Sequence, residues 1–306
     1  MSGRYVLRRL GRCVFVLFGV TLLAFVVSRL KGDPVLLMVQ PGATAADIEA
    51  MRRSLGLDGP LWLQFARFVG GALRGNLGMS IWQGQNVTSL LLERVPFTLR
   101  LSSLAILVVV AAGIPAGIVA ARSRGGAWDQ AIVAGAVAGQ ALPTFWVGLM
   151  LIYLFAVDWR LLPSFGAGDW RHLVMPVATL SLFSLARVTR LVRSSMLEVL
   201  GQDYIRTARA KGLATRRLLF RHALRNSLLP IVTLVGLEYG VALGGSVITE
   251  TIFALPGVGG LAVQAIFNRD FPLIQAVVLF TAAVFVVVNF LVDMVYLAID
   301  PRVQYT

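Results

Sequence analysis

Six long apolar stretches constrain this chain more than any other feature. They run Cys13–Leu30, Phe97–Ala121, Gln130–Val157, Leu173–Val192, Leu228–Ile248 and Leu273–Ala298. A helix needs about 20 mostly apolar residues to cross a hydrocarbon core roughly 30 Å thick, and each stretch qualifies. Composition agrees: 57% of residues are hydrophobic and 14% charged, against about 25% charged in a soluble domain. The expected fold class is an all-α integral membrane protein with six transmembrane helices. The fourth stretch is the weakest. Pro176 lies near its start, and Arg187 and Arg190 near its end can snorkel to the interface. The first has the basic start of a signal peptide, with Arg4, Arg8, Arg9 and Arg12. Val26-Val27-Ser28 is a weak cleavage site and Arg29 follows at once, so it is read as a retained anchor.

Charge sets the orientation. A net charge of +13 would suggest nucleic acid in a soluble chain. Beside apolar spans, arginines instead mark cytoplasmic loops, and no nucleic acid is expected. Arg4, Arg8, Arg9 and Arg12 precede the first span, Arg122 and Arg124 follow the second, and many more lie beyond Tyr204. The opposite loops are balanced: Asp158 with Arg160, Asp169 with Arg171, Arg269 with Asp270. Both termini are therefore expected in the cytoplasm. The expected organisation is an N-terminus and first span (1–30), an outer insertion (31–96), a five-helix core (97–298) holding a cytoplasmic loop (194–227), and a cytoplasmic tail (299–306). In the insertion, Thr44-Ala45-Ala46-Asp47 fits a capping box, and Ile48, Met51 and Leu55 continue at helical spacing to Gly56. Pro60 can start a second helix carrying Trp62, Phe65, Phe68 and Val69. That pair of helices reads as a small cap, as a surface for a soluble partner, or as both. Pro143, between Gly139 and Gly148, kinks the third span or admits a neighbouring helix. Trp146, Trp159 and Trp170 are interface anchors.

Little reactive chemistry is available. Cys13 is the single cysteine, and the two histidines, His172 and His222, lie in different loops. No disulfide within the chain, metal site or bound cofactor is expected. Neither lysine, Lys31 or Lys211, follows a glycine, so the chain lacks a G-x-x-x-x-G-K-[ST] phosphate loop. If it transports at the expense of ATP, another subunit must hold the nucleotide. An enzyme is not expected. Intramembrane acids are functional candidates by default. Glu238 reads equally as a residue of a translocation path or as an interhelical hydrogen-bonding group. Asp293 is also a path candidate, though its position favours a structural role. An ion-coupled carrier or channel would rest on an inverted repeat or a chain of such acids, and neither is evident.

The most unusual segment runs from Tyr204 to Pro230. It is basic and helix-compatible, and long apolar runs flank it. Tyr204-Ile205-Arg206-Thr207-Ala208-Arg209-Ala210-Lys211-Gly212 leads to His222-Ala223-Leu224-Arg225-Asn226 and then Ser227-Leu228-Leu229-Pro230. It resembles the docking loop of ABC importer permeases. Arg206-Thr207-Ala208 stands where the general pattern has Glu-Ala-Ala, and the spacer after Gly212 is longer. Those departures resemble the peptide and nickel branch. Gly32-Asp33-Pro34, Leu55-Gly56-Leu57-Asp58, Gly75-Asn76-Leu77-Gly78-Met79-Ser80, Gly244-Gly245, Thr249-Glu250-Thr251-Ile252-Phe253, Pro256-Gly257-Val258-Gly259 and Asp300-Pro301-Arg302 are similar to that branch in order.

The resemblance implies a type I ABC importer permease of the dipeptide/oligopeptide/nickel family, in the bacterial cytoplasmic (inner) membrane, its outer insertion periplasmic. It implies a second permease subunit, two ABC ATPase subunits that use ATP and magnesium, and a periplasmic or lipid-anchored binding protein. Substrates would be di- or oligopeptides, with nickel chelates, glutathione and opine-like solutes open. A helix around Ile205–Thr215 would seat in a groove of an ATPase subunit. Tyr204, Arg206, Thr207, Ala208, Arg209, Ala210, Lys211 and Gly212 would form the coupling site, and Gly212 can end the helix in a left-handed conformation. A basic interfacial helix on anionic lipid is the plainer reading. Glu250, Pro256 and Gly257 read as outer-gate candidates, or as a turn before the last span.

Overall fold

The computed structural model describes residues 3–30, 35, 44–54 and 58–299. The motifs at 32–34, 55–57 and 300–302, and the expected stop at Gly56, lie outside them. The described chain is helical: α1 Gly3–Leu30, α2 Ala45–Ser54, α3 Leu61–Leu73, α4 Val87–Arg122, α5 Ala127–Ala141, α6 Thr144–Asp158, α7 Arg171–Leu200, α8 Asp203–Ala210, α9 Arg225–Ile252, α10 Val258–Phe267 and α11 Phe271–Ile299. Among the described residues, five helical segments are long and apolar enough to cross a membrane, and α5 with α6 makes a sixth if that bent pair is one span.

The spans differ from expectation at their ends. α4 begins at Val87 rather than Phe97, so Pro96 and the charged Glu93 and Arg94 lie inside the helix. A π-helical turn at Val109–Gly113 interrupts it. Pro115 follows and has no N–H to give Ala111, so the wide turn falls where an α-helical bond is missing anyway. The third span is not one continuous helix. α5 and α6 meet at 100°. Leu142, held extended by the proline after it, has ψ 129°, and Pro143 becomes the N-cap of α6. The fifth span is preceded by helical turns from Thr215, with a π segment at Leu218–Leu224, and runs on to Ile252.

The chain forms two compact units. One comprises Thr98–Leu255 and the chain from Val288. Its hub is α7, which packs against the second half of α4, α5, α6 and α9. Val109, Ile118, Val188, Val192, Met196 and Ile231 are buried together there. Small residues let the backbones approach. A Cβ on Gly117 would stand 2.6 Å from Val192 Cβ and 2.7 Å from the Thr189 carbonyl oxygen.

The other unit comprises Gly3–Phe97 with Pro256–Val287. The capping box forms as expected. The Thr44 backbone N–H donates to Asp47 Oδ2 at 2.9 Å, and the Asp47 N–H donates to Thr44 Oγ1 at 3.3 Å. The Thr44 hydroxyl donates in turn to Asp47 Oδ2 at 2.7 Å, and this bond first, with that from the Thr44 N–H, holds the Asp47 carboxyl below its ordinary acidity range. Pro60 caps α3, whose Phe65 and Phe68 lie against α1. Phe25 meets Phe65 at 5.3 Å and Phe68 at 6.4 Å between ring centres. The segment between α3 and α4 folds into a small lasso closed by a bridge between Met79 and Asn86. Asp270 pins it. Its carboxylate accepts from the Ser80 hydroxyl, from the Trp82 N–H at 3.3 Å, and from the N–H of Leu273 in the first turn of α11. Asp270, expected to balance Arg269 in an outer loop, is thus fully buried.

Candidate functional site

The eight coupling candidates fall on α8 and the turn that ends it. Asp203 stands in the first turn and Arg209 in the last, matching the helix dipole. Gly212 has φ +77°. Its N–H reaches the Arg209 carbonyl at 3.0 Å, and the Leu213 N–H reaches Ala208 at 3.3 Å. That is a Schellman stop. The helix is therefore shorter than the expected Ile205–Thr215, and a new helical turn begins at Thr215.

Ile205 is fully buried, and Ala208, one turn on, is half-buried. Tyr204, Arg206, Thr207, Arg209, Ala210, Lys211 and Gly212 are exposed. Tyr204 Oη accepts from Asn226 Nδ2 at 2.6 Å, tying α8 to the first turn of α9. Arg216, Arg217, Arg221 and Arg225 are exposed as well. The result is a short helix gripped by one aliphatic side chain, with a basic outer surface. Ile205 and Asn226 lie in the quoted motif but are not among the eight coupling residues read from the sequence. Ile205 is the one large aliphatic residue in α8, and that was the available signal.

The intramembrane acids are not grouped. Glu238, on α9, has no solvent exposure. Ser184 Oγ donates to its Oε2 at 2.6 Å, and Arg187 Nη1 lies 2.9 Å from its Oε1. Its partners belong to α7 of its own chain. Asp293 is half-buried on α11. Glu250, near the end of α9, is fully buried and accepts from Thr98 Oγ1 at 2.7 Å. Pro256 and Gly257 belong to the other unit, where Gly257 is the N-cap of α10.

The arginines of α7, of which Arg187 and Arg190 can reach the interface, also have partners within the chain. Arg187 pairs with Glu238, Arg190 donates to Gln140 Oε1 at 2.7 Å, and Arg193 grips Asp129 with two bonds, 2.5 and 2.8 Å. Their spacing of three places them on one helix face, a signal that was legible beforehand. Among the described residues, no group of three or more His, Cys, Asp or Glu side chains could hold a metal ion.

A family model described as "Binding-protein-dependent transport system inner membrane component" matches residues 113–305, and its N-terminal companion matches residues 2–102. The dipeptide transport system permease protein DppB of Escherichia coli (strain K12) is 38% identical, over 99% of each chain. The glutathione transport system permease protein GsiC of Escherichia coli O6:H1 is 39% identical, over 98% of this chain and 99% of its own. An inward-facing structure of the MetNI methionine ABC transporter superposes with a TM-score of 0.61 at 18% identity, covering 69% of this chain and 96% of that one. The chain belongs to the family of inner-membrane components of binding-protein-dependent transport systems, and has the type I ABC importer permease fold. It is a multi-pass permease subunit of such an importer.

Proposed function

We propose that this permease forms half of the translocation pathway of an ATP-driven importer for di- or oligopeptides or related small solutes. The other half would be a second permease subunit. Two ABC ATPase subunits would supply ATP hydrolysis with magnesium, and a periplasmic or lipid-anchored binding protein would deliver solute. Both termini and α8 would face the cytoplasm, and residues 31–96 the periplasm. The family's named relatives support the substrate class, since they include a dipeptide and a glutathione permease.

One observation carries the coupling role. α8 is fastened to its own subunit through Ile205 and the Tyr204–Asn226 bond, while its basic face is left open. A short exposed helix fastened in this way can pass a partner's movement to α7 and α9, which flank it in the chain. Such rigid-body switching links a local event to a distant gate. Glu250, Pro256 and Gly257 remain the proposed outer-gate residues. Asp293, and Glu238 acting through Arg187, are the proposed pathway residues.

The test is uptake and ATP hydrolysis by the reconstituted importer. Gly212→Glu should leave the permease in the membrane and abolish uptake driven by ATP. Normal uptake by that variant would remove the docking role. Solute transport by the purified chain alone, without nucleotide, would instead establish a self-sufficient carrier.

A further inference from the structure

The basic face of α7 holds a charge that the family relationship does not explain. Arg187, Arg190 and Arg193 line one cavity of about 450 Å³ together with Gln140 and Ser194. Two of the three guanidinium groups are neutralised. Glu238 stands against Arg187, and Asp129 takes both nitrogens of Arg193. Arg190 donates only to the neutral amide oxygen of Gln140, and its side chain is exposed. Among the described residues no carboxylate answers it. A cation within a membrane-crossing helix is costly unless it faces water or a partner, and by default it marks a solute path.

We infer that Arg190 and its cavity bind the carboxylate of the transported solute. The inference rests on the peptide reading above, because every unmodified peptide carries one terminal carboxylate. A guanidinium has five N–H donors in a planar fork. One bond to Gln140 leaves several for the two oxygens of a carboxylate, the geometry an arginine matches best. The cavity carries one net positive charge, with Glu238 and Asp129 close by. That balance suits a single monovalent anion and disfavours a doubly charged phosphate. Its volume lies within the range of small-molecule sites, roughly 300–1,000 Å³. The Gln140 amide, which lines the same cavity, bonds the arginine without cancelling its charge, so solute is held by one charged contact and can leave.

The test uses the complete importer in proteoliposomes, with dialanine and dialanine amide as probes and binding-protein loading of each measured separately. Arg190→Gln should lower dialanine transport per ATP hydrolysed by about tenfold, the value of one charge-assisted contact. It should leave transport of the amide, and ATPase stimulation by loaded binding protein, within about twofold of wild type. Arg190→Lys should restore only part of the dialanine rate, because lysine keeps the charge but not the fork. Equal loss for both probes would assign Arg190 to packing or to the second subunit and overturn the inference, as would no loss for either. Disappearance of the effect in liposomes of phosphatidylcholine alone would make an anionic lipid the occupant and overturn it too. If wild type moves neither dialanine nor glutathione, the peptide reading falls first and carries this one with it.

Discussion

A carboxylate without solvent exposure inside a bilayer-crossing helix has to be answered nearby, and Glu238 is answered by Arg187 and Ser184. Removing one member of such a pair leaves a buried charge unmatched, which costs about 3–5 kcal/mol when both partners are buried. Arg187 is 40% exposed, so Arg187→Met should cost less, on the order of 2 kcal/mol. The paired change Arg187→Met with Glu238→Leu should recover most of it. Thermal unfolding of the detergent-solubilised permease checks both. At Gly212 a Cβ meets nothing within 4 Å, so the demand is conformational rather than steric. Gly212→Ala should weaken the stop by about 1–2 kcal/mol, whereas Gly212→Asn should be milder because asparagine tolerates left-handed backbone. ATP-driven uptake should follow the same order. Asp47 gives a pH dependence. Its folded acidity lies below the ordinary value of 3.8, so its stabilising effect is present above that value. The effect is lost as pH falls through the lowered one. Amide exchange in α2 should therefore accelerate on acidification, and Thr44→Ala should reduce the pH sensitivity.

Helices here are placed by where they approach and where they break. α4 and α7 cross so closely at Gly117 that a single methyl group meets a backbone carbonyl as well as Val192. The carbonyl cannot move aside as a flexible side chain would. Gly117→Ala should therefore cost about 1–3 kcal/mol of overpacking. Gly135→Ala on α5, where nothing lies within 4 Å, should change the melting temperature little or raise it. The break between α5 and α6 follows a similar logic. Pro143 denies Leu142 the helical conformation, and α6 packs so near α7 and the end of α9 that a Cβ on Gly148 would stand 3.4 Å from the side chains of Phe253 and Thr179. The proline supplies the interruption, and packing of α6 sets how far it opens.

At the scale of the whole molecule, one of the two units is built from two distant stretches of chain, joined by a few polar contacts. Ser80 and Asp270 are 190 positions apart, and Ser28 and Gln275 are 247 apart, yet each pair is bonded. Asp270→Ala should free the lasso between α3 and α4. Faster amide exchange at Ser80, Trp82 and Leu273, with the rest of the protein unchanged, would register it. Asp270→Asn should show a smaller effect. What the sequence determined by itself was whatever depends on near neighbours: the apolar runs, the Thr44–Asp47 box, the Gly212 stop and the basic surface of α8. A bilayer judges hydropathy over one turn after another, and a cap is made within a few residues. Only the tertiary structure decided the 100° break, the acceptors of the α7 arginines and the burial of Asp270. Arg190 and Gln140 are 50 residues apart, Ser184 and Glu238 54, Arg193 and Asp129 64. Spacing along α7 shows that its arginines share a face, but the acceptor each one meets depends on which helix packs there.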